Sequence, residues 1–217
     1  MGPSGVTYSG YDWELFMLKR SFDLSASIAG LFLLLPVLGA VAAAIRITSG
    51  RPVLYRASRV GRGGRPFRMV KFRTMVVGAD AQGPLVTASG DGRVTPVGRL
   101  LRRTKLDELP TLWNVLRGDM SVVGPRPENP LSAAQYNDEQ RRVLTVRPGV
   151  TSLATIKYRH EEALLAGGGD LDARYFAIMQ DKLRLELEYV DHHPFSRDLS
   201  IIARTIRAIF TTGDALA

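Results

Sequence analysis

Between Leu24 and Ile45 the chain runs for 22 residues without a charge, LSASIAGLFLLLPVLGAVAAAI. No other stretch restricts the fold as strongly, because a run of this length and polarity has to be removed from water. As one straight helix it would be ~33 Å long, enough to cross a bilayer. Pro36 argues against that form. It removes a backbone hydrogen bond and divides the run into pieces of 12 and nine residues, about 18 and 14 Å long, neither of which spans alone. Cations flank both ends, Lys19 and Arg20 before, Arg46, Arg51 and Arg56 after, so the charges set no inside–outside bias. A helix–break–helix hairpin over residues 19–46, entering and leaving by the cytoplasmic face, satisfies both observations. A kinked single span is the alternative. A cleaved signal peptide fits less well: Ala42-Ala43-Ala44 looks like a cleavage site, but the run is too long and the region before it is acidic and extended.

With 217 residues the chain suits one domain, and no repeat or linker divides it. Twenty-nine basic residues against 21 acidic ones give +8, which points to anionic partners: nucleic acid, acidic lipid or phosphorylated metabolites. Arginines are spread from Arg20 to Arg207 without an aromatic-interleaved motif, so nucleic acid has only charge behind it. The absence of Cys removes disulfides, thiolate metal sites and Cys nucleophiles together.

The richest stretch is Lys105 to Glu128, KLDELPTLWNVLRGDMSVVGPRPE. Leu106, Leu109, Trp113 and Leu116 recur at helical spacing. Pro110 is tolerated only in a first turn, so the spacing predicts a helix from near Asp107 to near Gly118. Asp107 and Glu108 then lie at its positive end, where ionised carboxylates are favoured. An ordinary helix cap would explain a lone acidic pair. The surroundings add more: Arg102, Arg103 and Lys105 precede it, and Arg126 is held between Pro125 and Pro127, which restrict the backbone on both sides. Two acids bracketed by fixed cations suit a metal-assisted site for a phosphorylated substrate.

The run LDELPTLWNVLRGDMSVVGPRP closely resembles the core of the bacterial sugar transferases, or monotopic phosphoglycosyl transferases. That resemblance extends from about Lys19 to Phe210. It implies transfer of a sugar 1-phosphate from a nucleotide diphospho-sugar, UDP-sugar foremost, to polyprenyl phosphate on the cytoplasmic face of the inner membrane. It also implies Asp107 as the nucleophile, Glu108 as a catalytic carboxylate holding Mg2+, and Arg126 within Pro125-Arg126-Pro127 as a contact to the nucleotide. Lys71, in KFR, and Arg102, five residues before Asp107, fall where the family places active-site cations, and Arg73 shares a strand face with Lys71. Two segments depart from the family: Leu35 stands where Ser usually precedes the break proline, and Thr151 is followed by Ser152-Leu153-Ala154-Thr155 in place of a Thr-Gly-aromatic-Gln run. Sugar preference is therefore not inherited.

The fold expected is α+β and mainly helical: one domain, 1–217, with the membrane hairpin at 19–46 and a cytoplasmic catalytic part at 47–217. Met1–Gly10 reads as a loose polar terminus. Tyr11 to Arg20 has the composition of an interfacial segment, or of an ordinary surface helix. Val53–Ala57 and Phe67–Phe72 should form a β-hairpin around Gly61-Arg62-Gly63-Gly64. A loop over Val77–Thr95 leads to a basic helix, Val97–Leu106, with Leu100 and Leu101 inward. A short helix around Asp138–Leu144 precedes Arg147-Pro148-Gly149, which reads as a type II turn. Lys157–Asp170 reads as a surface excursion. Asp172–Val190 is a long helix with a Tyr175, Met179, Leu183, Leu187, Val190 stripe. His192 and His193 lack a third ligand and read as solvated. A last apolar face, Leu199, Ile202, Ile206 and Ile209, is either core or a surface for anionic lipid. A homodimer is compatible with all of this. The competing class is a membrane-anchored basic module that binds nucleic acid or proteins without chemistry. It leaves the Asp-Glu and Pro-Arg-Pro arrangement without a role.

Overall fold

A computed structural model describes residues 10–83, 87, 89–165, 170–192 and 194–210. The apolar run forms two helices, α1 (Gly10–Leu33) and α2 (Leu35–Ser49), which meet at a 60° bend. The break lies at Leu34, and Pro36 occupies the first turn of α2. A proline there lacks an N–H that has no helical partner in any case, so the break precedes the proline instead of falling on it. No single described helix is long and apolar enough to cross a membrane.

Lys19 and Arg20 do not serve as free flanking charges. Arg20 donates to the carbonyls of Val115 and Leu116, at 2.7 and 2.9 Å. Lys19 reaches the Val123 carbonyl at 3.0 Å, the Tyr189 hydroxyl at 3.2 Å and Asp198 Oδ2 at 2.5 Å. Asp23 is buried and accepts from Ser121 Oγ and the Val122 N–H. The base of α1 is thus pinned to the body by a polar network, while α2 returns Val41 and Ile45 to a core with Phe72 and Leu101. The middle is bare: Phe32, Leu33 and Leu35 are 77, 74 and 63% exposed.

Strands β1 (Leu54–Val60) and β2 (Pro66–Phe72) form the expected antiparallel hairpin, longer than its apolar pattern suggested. Its register pairs Tyr55 with Lys71 and Arg59 with Phe67, so alternate residues place Tyr55, Arg59 and Lys71 on one face. Ala57 and Met69, also on that face, pack with Val115 and Met120. Helix α3 (Pro96–Thr104) buries Leu101, whereas Leu100 is half exposed. Neighbours on a helix point about 100° apart, so both could not face inward.

The predicted helix over 107–118 is two elements. A 3-10 turn, Leu106–Thr111, precedes α4 (Leu112–Arg117), which Gly118 ends in the left-handed conformation. Tighter winding shifts the phase of the side chains. Asp107, Pro110, Thr111, Asn114 and Val115 face inward, and Trp113 is 52% exposed. Next come β3 (Ser121–Val123), α5 (Pro130–Ala134), a 3-10 turn at Gln140–Thr145, and β4 (Gly149–Thr151), which runs parallel to β3. Gly149 has no left-handed φ and opens β4, so the type II turn is absent. The reason for glycine here is proximity: a Cβ on Gly149 would lie 2.1 Å from the Gly124 nitrogen.

Short helices α6 (Leu153–Lys157) and α7 (Glu161–Leu165) lead to α8 (Leu171–Asp191) and α9 (Phe195–Phe210). Met179 and Leu183 on α8 are core, but the same buried side carries Lys182, Glu186 and Tyr189. On α9 the buried residues are Asp198, Ile201 and Ala208, while Leu199, Ile206 and Ile209 are 47, 52 and 55% exposed. The need of Asp198 to meet Lys19 and Tyr189 sets that rotation. Arg197 folds back on α8, bonding Glu188 Oε1 at 2.6 Å and the His192 carbonyl at 2.8 Å, so it is not free for lipid or solvent. Of Met1–Gly10, expected to be a loose terminus, residues 1–9 lie outside the described residues and Gly10 instead opens α1; His193, expected to be solvated, also lies outside them.

Candidate active site

The β-hairpin, the segment after β2, α3, the Leu106–Thr111 turn and the segment 126–129 line a cavity of about 680 Å³. It brings together Lys71, Arg73, Arg102, Asp107, Glu108, Arg126 and Pro127; Pro125 lies behind it. Close approach of α3 makes this possible. A Cβ on Gly98 would lie 2.0 Å from the Thr74 carbonyl oxygen, so only glycine lets α3 sit there. Arg102 Nε then donates to Thr74 Oγ1 at 2.9 Å. Buried Asn114 on α4 fixes the strand to the helix that follows the turn. Its Oδ1 accepts from Val70 N–H at 2.9 Å, and its Nδ2 donates to the Arg68 carbonyl at 2.8 Å. The strand that carries Lys71 is thereby tied to the segment that follows Asp107.

The two adjacent acids have opposite environments. Asp107 is 5% exposed, and its Oδ1 makes no hydrogen bond. Burial, then the charge of Glu108, pushes its carboxyl up to about 6, against the pull of Lys71, Lys105 and Arg102. The sequence had suggested a readily ionised carboxylate at a helix N-terminus. The short 3-10 turn instead buries it. Glu108 is desolvated as well, which alone would raise it, but the charge and hydrogen bonds of Arg126 outweigh that and bring it to about 2. Arg126 grips it with two prongs, Nη2 to Oε1 at 2.5 Å and Nη1 to Oε2 at 3.1 Å, a strong and directional pairing. Burial pushes the Lys71 ammonium down, and the charges of Glu108 and Asp107 pull it partly back.

Arg73 has a different setting. It is 6% exposed and donates to the carbonyls of Ser49, Gly50 and Arg51 at 2.5, 3.0 and 3.0 Å. Its guanidinium closes the C-terminal end of α2, so sharing a strand with Lys71 did not give it the same partners. Reading the sequence also missed Glu186 on α8. Its Oε1 accepts from the Arg126 N–H at 3.2 Å and from Ser152 Oγ at 2.7 Å, while Oε2 is buried without a partner. Burial raises Glu186 to about 7. The visible signal was a charged pair, Lys182 and Glu186, inside an otherwise apolar face. The Lys157–Asp170 segment is likewise more than a surface excursion, since both oxygens of Glu161 accept from Lys182 at 2.7 Å beside the cavity.

Among the described residues no cluster of three or more acidic or His side chains would cage a metal. The donor set does fit magnesium in its usual enzymatic form, held by one or two carboxylates and completed by substrate phosphates and water. Asp107 has an unused oxygen, and each oxygen of Glu108 keeps a lone pair beyond its Arg126 bond.

A cavity that sets two carboxylates among desolvated cations suits a phosphorylated substrate. The sequence profile of the bacterial sugar transferases matches residues 14–212, and the chain belongs to that family. It is similar to the UDP-glucose:undecaprenyl-phosphate glucose-1-phosphate transferase of Caulobacter vibrioides, 38% identical over 200 residues, 91% of this chain and 71% of that protein. It is similar to the UDP-N-acetylgalactosamine-undecaprenyl-phosphate N-acetylgalactosaminephosphotransferase of Aeromonas hydrophila, 35% identical over 203 residues, 89% of this chain but 44% of that protein. The sugar transferase EpsL of Bacillus subtilis, whose activity is uncharacterised, is 36% identical over 196 residues, 90% of this chain and 89% of that protein.

Proposed function

We propose that the protein transfers a sugar 1-phosphate from a nucleoside diphospho-sugar, a UDP-sugar in the first instance, to a polyprenyl phosphate, making the lipid-linked sugar that begins glycan assembly. The observation that carries this reading is the buried Asp107 carboxylate, with one oxygen unpartnered, facing a cavity beside Lys71 and the Arg126–Glu108 pair. An Asp107 oxygen attacks the β-phosphorus of the donor. The bond from that phosphorus to the bridging oxygen breaks, and nucleoside monophosphate leaves with the electron pair. An oxygen of the polyprenyl phosphate then attacks the same phosphorus and returns the carboxylate. Lys71 and Arg102 offset the charge of the diphosphate. Arg126 holds Glu108 ionised and oriented. Mg2+ bound with Glu108 would neutralise phosphate charge when present.

The reading places the catalytic part on the cytoplasmic face of the inner membrane. The exposed middle of the α1–α2 pair enters one leaflet, and the pinned bases of both helices stay with the body. About six residues separate Ser27, which is buried, from the break at Leu34, a rise of only ~9–10 Å, which favours re-entry over crossing.

The test is a screen of nucleoside diphospho-sugars with polyprenyl phosphate and magnesium, reading monophosphate release. Mass spectrometry of enzyme given donor alone should find the phosphosugar on Asp107. Asp107→Asn should lose both adduct and turnover. Normal turnover by that variant would overturn the covalent route in favour of direct attack by the lipid phosphate.

A further inference from the structure

Arg59 projects from β1 toward the cavity, on the strand face it shares with Lys71. Among the described residues its guanidinium makes one hydrogen bond, from Nη1 to the carbonyl of its own neighbour Ser58 at 3.1 Å, and no ion pair. Burial pushes its guanidinium down. The groups that face it are Glu128, which pulls it back, Arg126, which repels it, and the hydroxyls of Tyr55 and Tyr175. Glu128 is not within ion-pair distance and is itself hydrogen bonded by the Tyr175 hydroxyl at 3.3 Å. A half-buried guanidinium with four N–H donors unused by the protein, facing a cavity, is placed to receive an anionic group.

Two other arginines of the cavity are already committed. Arg126 is committed to Glu108, and Arg73 to three carbonyls. Lys71, like Arg59, has no ion pair among the described residues and stands over the Tyr55 ring at 5.7 Å. One rigid hairpin therefore offers two half-buried, uncommitted cations to one cavity. Their positions along the hairpin differ: Lys71 pairs with Tyr55 and lies in the field of Glu108 and Asp107, though it also feels Arg59, whereas Arg59 pairs with Phe67 next to Val60, whose N–H reaches the Glu128 carbonyl at 3.0 Å. The geometry points to Arg59 as the residue that binds the non-transferred phosphate of the donor, the one that leaves as nucleoside monophosphate, while Lys71 serves the transferred phosphate beside Asp107. A planar guanidinium matches two phosphate oxygens at once. This inference rests on the proposed reaction.

In a double-displacement reaction, that role touches only the first half. With the full chain in nanodiscs, Arg59→Gln should raise the KM for the nucleoside diphospho-sugar roughly ten- to a hundredfold, the loss expected for charged hydrogen bonds. It should weaken product inhibition by the monophosphate to a similar degree. The KM for polyprenyl phosphate and attack on preformed adduct should be unchanged, as should every constant in Arg65→Gln in the exposed turn. Arg59→Lys keeps the charge without the fork and should raise the donor KM several-fold; it carries the test if Arg59→Gln does not fold. Donor constants within twofold of wild type, or an equal fall for both substrates, would overturn the assignment. Inorganic pyrophosphate binding, measured by calorimetry, separates the two levels of the argument. If wild type turns over no donor yet binds pyrophosphate through Arg59, the anion site stands and the proposed reaction falls. If pyrophosphate binds both proteins equally, the site falls.

Discussion

Glu186→Gln offers a quantitative check on how the Pro-Arg-Pro segment is held. Glu186 is 4% exposed, and one of its oxygens takes both hydrogen bonds, from the Arg126 N–H and Ser152 Oγ, while the other takes none. Its folded carboxyl titrates near 7 against an ordinary 4.5. A raised acidic pKa means that the folded state holds the proton more tightly than the unfolded one. Folding stability therefore falls as pH rises through the window from 4.5 to 7. At ~1.4 kcal/mol per pKa unit, the ionised group costs about 3 kcal/mol by pH 8. Glutamine keeps the acceptor for both donors and never ionises. The stability difference between variant and wild type should thus grow by about 3 kcal/mol between pH 4.5 and pH 8, which for a chain of this size is ~6–12 °C in Tm. Thermal melts in nanodiscs at several pH values measure it, with the surface change Glu139→Gln as a reference that should show no such growth. A difference that stays constant across this range would mean that Glu186 is not a desolvated carboxylate. Glu186→Ala, which strands both donors, should be destabilising by ~1–3 kcal/mol per donor at every pH.

Formation of the aspartyl adduct should rise with pH to a plateau, with a midpoint near 6, because Asp107 attacks only when ionised and is held up to about that value; a rate flat from pH 5 to 8 in single-turnover measurements would contradict this. Arg126→Lys should lose at least about tenfold in kcat/KM, since a single ammonium cannot reproduce the two-pronged hold on Glu108; near-normal kinetics would make the residue dispensable. Arg73→Gln should lower the melting temperature by the equivalent of ~1.5–3 kcal/mol, because three carbonyls at the end of α2 lose a charged donor. A raised donor KM with unchanged melting would instead return Arg73 to the substrate.

The elements legible in the sequence were those with local causes. The broken apolar run, the β-hairpin around its glycines, the stop at Gly118 and the long helix α8 each follow from periodicity or from a residue with one backbone preference. The Asp-Glu pair and the Pro-Arg-Pro segment were recognisable because both are short and contiguous. What failed depended on partners far along the chain. Arg73 and Lys71 look equivalent two positions apart and both line the cavity, yet the Arg73 guanidinium is committed to the end of α2 and Lys71 has no such partner. Lys19 and Arg20 read as membrane flanks until the structure brought Asp198 and the end of α4 to them. Glu186 looked like any helical carboxylate before Ser152 and the Arg126 backbone closed around it.

The ionisation of the site shows where that boundary falls. The sequence by itself determined that two carboxylates lie next to each other near a turn, with cations close by. It also determined, through Pro36, that the apolar run would bend. Only the tertiary structure decided that Asp107 is buried with a free oxygen while Glu108, one residue later, is clamped by an arginine 18 positions away. Residue type and spacing fix local backbone preference, which acts over a few residues. Burial, and with it the balance between desolvation and charge pairing, depends on which distant segments pack together, and here that balance drives two adjacent carboxyls in opposite directions.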